Sequence, residues 1–387
     1  MEEIDIKQDE EYDSFETLEL NEDLIKGVYI YGFREPSKIQ INGIKAINSH
    51  NDCIIQSQSG TGKTATFLLG VLNNVEDNDD CQCIIITPTR DLSRQVFSVA
   101  TKIAKYTNIN IVLATGGTEI KSRELKKSNV VIGTIGRIKH MIVKKNIEMD
   151  NLKMLVLDEV DELLEDNLSE DLTYIFNEVP QTTQKCFISA TITRQVFETS
   201  KKLLNNPEKI LLKKEEIAVD LIKQFYVDTS TEQLKIEVLL DLYSLINTSQ
   251  AIIFCNTIRK VEWISEKLIE QNFTITSVHG KMNSKERENI IKDFRDGKTR
   301  ILITTDLLAR GIDIDQINLV INYDLPPNKQ TYIHRIGRCG RFGKRGVAIS
   351  FVKGEDENDN NILDRMKKYY KIEINELTDD VEELLNG

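Results

Sequence analysis

Short runs of Val and Ile alternate with longer amphipathic segments along most of the chain. Few of these runs alternate strictly between apolar and polar residues, a pattern typical of strands buried on both faces of a parallel sheet. The amphipathic segments suit the helical crossovers that parallel strands require. We therefore predict an α/β fold that is built twice. The predicted strands are residues 52–56, 83–87, 109–114, 130–133, 154–157 and 185–189, followed by residues 222–227, 250–255, 274–278, 301–304, 319–322 and 346–351.

A polar, charged segment at residues 208–221 separates the two series of strands. A chain of 387 residues is long enough for two domains of ordinary size. The segment has no Gly, Ser or Pro repeats, so we expect the two domains to stay close enough to meet. The predicted organisation is an acidic N-terminal tail at residues 1–14, a first domain at 15–212, a linker at 213–221 and a second domain at 222–387.

The net charge of −12 is concentrated at the two ends of the chain. Residues 1–14 carry seven acids and one lysine, and residues 355–387 carry eleven acids and four bases, which leaves the rest almost neutral. A near-neutral body cannot bind nucleic acid by bulk attraction, so any such contact has to depend on local geometry. No apolar run approaches the roughly 18 to 20 residues of a membrane span. We expect an intracellular protein that does not bind membranes, with the cytoplasm as its compartment and the nucleus as the alternative.

The cysteines and histidines do not have the spacing of a metal site. No two of the cysteines have CxxC spacing, and they are scattered along the chain. This excludes a zinc framework and favours free thiols in a reducing compartment. The cysteines are Cys53, Cys81, Cys83, Cys186, Cys255 and Cys339.

Residues 53–67, CIIQSQSGTGKTATF, have the order strand, glycine-rich loop, helix. Gly60 and Gly62 let backbone N–H groups surround a phosphate, Lys63 can reach the β- and γ-phosphates, and the Thr64 hydroxyl can bind Mg²⁺. The general pattern begins with Gly, whereas this chain has Ser57. The segment predicts a nucleotide phosphate site.

A second set of polar residues follows the predicted strand at residues 154–157. Asp158 is placed to hold Mg²⁺, mostly through water, and Glu159 to polarise an attacking water. An acidic pair after a strand can also be a solvated strand end. The lysine-containing loop upstream favours the functional interpretation.

Nine motifs in a fixed order resemble those of the DEAD-box RNA helicases, and the resemblance extends from Phe15 to Phe351. It implies two tandem RecA-like domains, each a mostly parallel sheet flanked by helices, joined by a short linker. It also implies an RNA-stimulated ATPase with ATP and Mg²⁺ as cofactors. The segment LITTDLLARGIDIDQINLVINYDLPPNKQTYIHRIGRCGRFG is most similar to the initiation-factor type of the family. The motifs are QSGTGKT, PTRDLSRQ, TGGT, GTIGR, DEVD, SAT, IIFCNT, TTDLLARGID and HRIGRCGR.

The resemblance implies a role for each motif. Phe33 would stack on adenine and the Gln40 amide would pair with its edge, which predicts ATP over GTP. Arg338 and Arg341 would act as fingers on the γ-phosphate, so hydrolysis would require closure of the domains. The implied ATP-binding residues are Phe33, Gln40, Ser59, Gly60, Thr61, Gly62, Lys63, Thr64, Gly311 and Asp313. The implied catalytic residues are Lys63, Asp158, Glu159, Arg338 and Arg341. The implied coupling residues are Asp161, Ser189, Thr191 and His334.

For RNA, the resemblance points to small residues, hydroxyls and a few arginines, which suit contacts to phosphates and 2′-hydroxyls rather than to bases. Closure on a single strand would unwind short duplexes locally without sequence preference. The implied RNA-binding residues are Pro88, Thr89, Arg90, Gly117, Thr134 and Arg137 in the first domain, and Asn256, Arg259, Gly280 and Thr304 in the second.

The leading hypothesis is an ATP-dependent RNA helicase that acts as a monomer in translation initiation with a scaffold protein. The alternatives are an ATP-dependent RNA clamp with slow turnover and a nucleotide-binding scaffold without RNA. The sequence departs from the family at Val160, where Ala is usual, and at Ile135, where Pro is usual. We expect Val160 to affect coupling more than chemistry. Phe15 is open to two interpretations, an isolated upstream aromatic of the site or a core residue.

Overall fold

A computed structural model of the chain describes residues 14–57, 62–118, 120–165, 169–211, 222–245, 250–306, 317–339, 346–353, 357–370 and 372–377. The chain divides into two compact units, Met1–Leu212 and Lys213–Gly387. Each unit contains a seven-stranded sheet, and every strand pairing within the two sheets is parallel. The prediction of an α/β fold built twice is confirmed.

The first unit alternates strands and helices after two N-terminal helices. Its strand order is β3-β4-β2-β5-β6-β1-β7. The strands are β1 (Cys53–Gln56), β2 (Cys83–Thr87), β3 (Ile111–Ala114), β4 (Val130–Thr134), β5 (Met154–Asp158), β6 (Gln184–Ser189) and β7 (Glu208–Ile210). The helices are α1 (Glu22–Tyr31), α2 (Lys38–Asn48), α3 (Lys63–Asn74), α4 (Arg90–Ile103), α5 (Ser122–Lys126), α6 (Ile135–Val143), α7 (Val160–Glu165), α8 (Ser169–Glu178) and α9 (Arg194–Leu203).

The second unit repeats this arrangement with the strand order β10-β11-β9-β12-β13-β8-β14. The strands are β8 (Ile222–Asp228), β9 (Gln250–Phe254), β10 (Ile275–Val278), β11 (Ile301–Thr304), β12 (Ile317–Asn322), β13 (Gly346–Val352) and β14 (Asn375–Glu376). The described helices are α10 (Glu232–Leu245), α11 (Ile258–Glu270), α12 (Ser284–Arg295), α13 (Lys329–Ile336) and α14 (Glu357–Tyr370).

Alternate residues of each central strand in the first unit face two different apolar cores. Ile55 and Ile85 pack with side chains from α1 to α4. Ile54 and Ile84 pack with side chains from α5 to α9. Burial of both faces explains why these strands are nearly continuous apolar runs in the sequence.

The twelve predicted strands lie within two residues of observed strands, whereas two edge strands, β7 and β14, were not predicted. The segment expected to separate the domains begins at Glu208, but residues Glu208–Ile210 form β7 and pair with β1. At the other end, Asn375–Glu376 form β14 and pair with β8. These short edge strands carry polar residues and therefore lack an apolar run. The predicted linker at 213–221 lies outside the described residues, as do residues 1–13 of the predicted N-terminal tail.

The helix that follows the phosphate loop is packed unusually closely against its neighbour. A Cβ atom at Gly43 in α2 would lie 2.3 Å from the Thr66 methyl group in α3, and one at Gly70 in α3 would lie 2.7 Å from Ile47 in α2. Glycine at both positions lets the two helices approach, which fixes the helix whose first turn carries Lys63 and Thr64.

Phe15 is fully buried in the first core, which supports the interpretation of this residue as a core aromatic. All six cysteines are buried and free. Among the helices that the structure describes, none combines the length and the apolarity that a membrane span needs.

Candidate functional site

Polar residues collect where β1, β5 and β6 end, at the carboxyl edge of the first sheet. These three strands are neighbours in the order β5-β6-β1, and all are parallel, so their ends meet at one edge. Gln56 ends β1 and Ser57 follows it, Asp158 ends β5 and Glu159 follows it, and Ser189 ends β6. The carboxyl edge of a parallel sheet is where α/β proteins bind ligands.

Lys63 is the first residue of α3 and its ammonium group is almost completely buried. Gly62 precedes it as the N-cap with φ of 88°, a left-handed conformation that glycine adopts without strain. The Lys63 Nζ lies 2.5 Å from Oε1 of Glu159 and 3.9 Å from Oδ1 of Asp158. Burial lowers the pKa of Lys63, but the charges of Glu159 and Asp158 outweigh it and raise the pKa, so the lysine is cationic.

Asp158 and Glu159 have different environments although they are adjacent. Asp158 is 1% exposed, and burial raises the pKa of its carboxyl group to about 7, although Lys63 opposes the shift. Glu159 has φ of 51°, and its N–H donates to Oδ1 of Asp158 over 3.0 Å. A left-handed glutamate is unusual and costs conformational energy, so the turn that aims these two carboxylates is held by its surroundings.

A hydrogen-bonded chain joins the end of β6 to the start of α7. The Thr191 hydroxyl donates to Oδ2 of Asp161 over 2.6 Å, and the Ser189 hydroxyl donates to the Thr191 carbonyl over 2.8 Å. All three side chains are buried. The structure therefore brings together three of the four predicted coupling residues.

The predicted adenine-reading residues contact the phosphate loop and an aromatic cluster. Gln40 forms a capping box in which its Oε1 accepts from the Ser37 N–H over 2.8 Å. A Cβ atom at Gly62 would lie 2.6 Å from Nε2 of the same Gln40 side chain. The ring of Phe33 is half-buried and stacks on Tyr31 with a centroid distance of 5.3 Å. Recognition of adenine by these residues stays a prediction.

The RNA-binding residues predicted in the first unit lie at the ends of β2, β3 and β4, the other half of the same sheet edge. The strands are neighbours in the order β3-β4-β2, and Thr87 at the end of β2 pairs with Thr134 at the end of β4. The Arg90 guanidinium lies against Gly116, where a Cβ atom would be 2.5 Å from Nη2. Arg137 donates from Nη2 to the Thr118 carbonyl over 3.5 Å. The residues gathered here are Pro88, Thr89, Arg90, Gly117, Thr134 and Arg137.

The predicted RNA-binding residues of the second unit lie at or shortly after the ends of β9, β10 and β11, which are again neighbours. Arg259 and Gly280 are exposed. The Asn256 amide already has protein partners, because its Nδ2 donates to the Leu325 carbonyl over 2.8 Å and its Oδ1 accepts from Arg335 over 2.7 Å. The Thr304 side chain is fully buried. Asn256 is nevertheless exposed, so Thr304 is the one buried residue of these four.

Arg335 is a central residue that the sequence analysis missed. Its guanidinium is 0% exposed and lies between the ends of three strands. It pairs with both carboxylate oxygens of Asp306, at 2.5 and 2.8 Å, and donates to the Asp324 carbonyl over 2.7 Å in addition to Asn256. The one available signal was its position between His334 and Arg338 in HRIGR.

His334 lies in α13 and Arg338 in the turn that follows this helix, and both are buried. Nε of Arg338 donates to the His334 carbonyl over 3.0 Å. Several predicted site residues lie outside the described residues. They are Ser59, Gly60, Thr61, Gly311, Asp313 and Arg341.

The two departures from the family pattern are both buried in the second apolar core of the first unit. Val160 begins α7 and is 0% exposed, and Ile135 begins α6 and is 4% exposed. Proline is favoured at the first position of a helix, so Ile135 gives up this stabilisation of the helix start, but its side chain fills the core.

The sequence matches two family models in the order of the two units. Residues 37–199 match the DEAD/DEAH box helicase model, and residues 234–343 match the helicase conserved C-terminal domain model. The "ATP-dependent RNA helicase eIF4A" of Neosartorya fischeri is 44% identical over 386 residues, which cover 99% of this chain and 96% of that protein. The chain belongs to the DEAD/DEAH box helicase family.

Other members of this helicase family agree with this assignment. "Eukaryotic initiation factor 4A" of Caenorhabditis elegans is 42% identical over 99% of this chain and 95% of its own. The solved structure of S. cerevisiae Dbp5 bound to RNA and ADP BeF3 has a TM-score of 0.90 and 37% identity, covering 97% of this chain and 99% of that one. The two sheets are therefore the tandem RecA-like domains of a DEAD-box helicase, and the family resemblance of the sequence is confirmed.

Proposed function

We propose that this chain is an ATP-dependent RNA helicase of translation initiation, which couples ATP hydrolysis to sequence-independent RNA binding and local unwinding. The relatives named eIF4A match it over almost the full length of both proteins. Their names favour the helicase over an RNA clamp or a scaffold that does not bind RNA. The observation that carries the chemistry is the buried group of Lys63, Asp158 and Glu159 at the end of β5.

Lys63 and Glu159 form a close ion pair. With 2.5 Å between Nζ and Oε1, the ammonium group neutralises the glutamate. Phosphate oxygens would compete with Glu159 for the three N–H donors and the positive charge of this lysine. We infer that ATP binding transfers Lys63 to the phosphates and releases the Glu159 carboxylate to accept a proton from the attacking water.

The residues around Asp158 suit Mg²⁺. Mg²⁺ prefers carboxylate and hydroxyl oxygens together with water and substrate phosphates, and Asp158 and Thr64 offer these groups at the sheet edge. The raised pKa of Asp158 marks a carboxylate that burial disfavours in its charged form, which a cation would relieve. When bound, Mg²⁺ would supply positive charge to the phosphates. Asp158 would hold it, mostly through water.

RNA would lie along the ends of β2, β3 and β4 in the first unit and of β9, β10 and β11 in the second. The hydroxyls, glycines and arginines at these ends suit phosphate and 2′-hydroxyl contacts, which carry no base information. Thr304 and Asn256 would act indirectly, because their side chains contact protein. The hydrogen-bonded chain of Ser189, Thr191 and Asp161 would couple the end of β6 to α7, the helix that follows Asp158 and Glu159.

The remaining roles follow the family resemblance. Phe33 and Gln40 would select adenine, Gly311 and Asp313 would contact the nucleotide, and Arg338 and Arg341 would stabilise the γ-phosphate in the transition state. A monomer in the cytoplasm that works with a translation initiation scaffold is the setting we propose.

Phosphate release with and without single-stranded RNA tests the proposal. We expect RNA to stimulate release by the unaltered chain, and a short labelled duplex to separate only when ATP is present. Lys63→Ala should abolish both activities. If the chain retained RNA with a non-hydrolysed ATP analogue but released no phosphate, it would be a clamp. If RNA changed neither ATP binding nor hydrolysis, the RNA helicase proposal would be wrong.

A further inference from the structure

A groove of about 670 Å³ in the second unit lies outside the nucleotide and RNA sites proposed above. It lies between the start of α13 and one face of α14. Ile362, Met366 and Tyr369 line it at intervals of four and three residues, so they form one stripe along α14. Met366 is buried, Ile362 is half-buried and Tyr369 is 41% exposed. The groove therefore has an apolar floor that reaches the surface.

Contacts between the two helices hold the walls of the groove in place. The Lys329 Nζ lies 3.2 Å from the centroid of the Tyr369 ring. The Tyr370 hydroxyl donates to the Lys329 carbonyl over 3.2 Å, and the Tyr370 ring meets Tyr369 edge-on with centroids 4.9 Å apart. A groove that is already formed costs little ordering when a ligand binds.

The charged residues of the groove are all cations. Lys329, Arg365 and Lys368 line it, and none of the lining residues in the described part of the chain is acidic. Within that same part, neither Arg365 nor Lys368 forms an ion pair, whereas exposed lysines elsewhere do, as Lys127 does with Asp79 over 3.2 Å. In a chain with a net charge of −12, exposed and unpaired cations beside an apolar floor favour an anionic, partly apolar ligand.

We propose that this groove binds an acidic peptide segment of a partner protein. One bulky apolar side chain would fill the groove, and flanking carboxylates would pair with Arg365 and Lys368, which are neighbours on one face of α14. A peptide fits better than RNA. The Tyr369 ring is already covered by Lys329 and Tyr370, so it is not arranged to stack on a base, and the concave apolar floor suits a side chain rather than a phosphate.

Fluorescence anisotropy tests the proposal with the full chain. The probe is a short fluorescein-labelled peptide in which one phenylalanine is flanked on both sides by glutamates. The test variant is Arg365→Glu with Lys368→Glu, and Tyr369→Ala probes the apolar wall separately. The control variant, Lys144→Glu with Lys202→Glu, makes the same change in net charge at two exposed positions of the first unit.

We expect saturable binding to the unaltered chain and to the control variant. Charge reversal at Arg365 and Lys368 should weaken binding by at least about tenfold, because two attractions become repulsions. Tyr369→Ala, a peptide with alanine in place of phenylalanine and a peptide with glutamine in place of glutamate should each bind more weakly. Thermal unfolding and RNA-stimulated ATPase should be unchanged in the charge-reversed variant, because neither residue belongs to the proposed site.

Three outcomes would overturn the proposal. The first is equal binding of the peptide to the charge-reversed and unaltered chains, or no saturable binding at all. The second is a loss of affinity for labelled single-stranded RNA in the charge-reversed variant with no peptide binding, which would make RNA the occupant. The third is peptide binding that appears only when residues 378–387 are removed, which would make the acidic end of this chain the occupant.

Discussion

The two units have the same strand order but differ in how far a buried charged group is compensated by other protein groups. In the first unit, the fourth strand of the sheet, β5, ends in Asp158, where burial raises the carboxyl pKa to about 7. In the second unit, the fourth strand, β12, ends beside Arg335, whose guanidinium is satisfied by protein oxygens on several sides. In the first unit, a bound cation could compensate the buried carboxylate of Asp158. In the second unit, protein groups already compensate the charge of Arg335.

This difference indicates that one scaffold can serve two purposes. A carboxylate that is disfavoured by burial is poised to gain free energy when a cation arrives. A fully paired buried arginine gains nothing further from a ligand, but it holds the ends of β9, β11 and β12 and the helix α13 in fixed positions. We therefore expect substitutions in the first network to change activity and those in the second to change stability.

The largest expected effect is on catalysis in the first unit. Glu159→Gln keeps the shape of the side chain but removes the carboxylate, so RNA-stimulated phosphate release should fall by about 10²–10⁴-fold. ATP binding should persist, because Lys63 then has no competing anion at Oε1. Steady-state phosphate release and equilibrium nucleotide binding would be measured together. A turnover within threefold of the unaltered chain would contradict the role of Glu159.

The next effect is on stability in the second unit. Arg335→Ala leaves Asp306 without its bidentate partner and should lower the free energy of unfolding by about 3–5 kcal/mol, measured in urea. Nucleotide binding by the first unit should change little. Arg259→Ala, at an exposed position, is the matched control and should leave stability nearly unchanged while it weakens RNA binding. Equal stability losses in both variants would contradict the structural role of Arg335.

The third prediction is that pH changes the affinity for an ATP analogue with Mg²⁺ by about tenfold, through the first network. The Asp158 pKa is raised to about 7, so the carboxyl group is mostly protonated below that pH and cannot bind a cation without losing its proton. Affinity for an ATP analogue with Mg²⁺ should therefore rise with pH from about 6 to 8, approaching tenfold per unit below pH 7. Asp158→Asn gives the baseline from the nucleotide alone. The same slope in both chains would mean that Asp158 does not titrate there.

The smallest expected effect concerns Val160 in the core beside the active site. Val160→Ala removes two methyl groups from a side chain that is 0% exposed, which should lower the free energy of unfolding by about 1–2 kcal/mol. RNA-stimulated ATPase should stay within a few-fold, because Asp158, Glu159 and Asp161 are kept. A hundredfold gain in ATPase would instead reveal that valine tunes this chain into a clamp.

The elements and residues predicted best from the sequence are those whose signals are local. The loop before Lys63 and the acids after β5 are contiguous motifs, and the central strands are continuous apolar runs because both faces are buried. The edge strands β7 and β14 have three and two residues, too few to show a period.

Residues whose environment depends on distant parts of the chain could not be predicted in this way. Arg335 is buried by Asn256, Asp306 and Asp324, which are contributed by three different strand ends. The groove likewise needs α13 and α14 to meet. No pattern within either helix encodes that contact, although the spacing of Ile362, Met366 and Tyr369 marks one apolar stripe.

The division of the first sheet's edge has a consequence for how ATP and RNA affect one another. The half of the edge proposed for the nucleotide ends with β5 and the half proposed for RNA begins with β2, and these two strands are direct neighbours. Within this unit, coupling between ATP binding and RNA binding would therefore act across one inter-strand spacing of about 4.8 Å. Cooperation over so short a route works through contact rather than through a long-range field, so it should withstand high ionic strength even where RNA affinity itself declines.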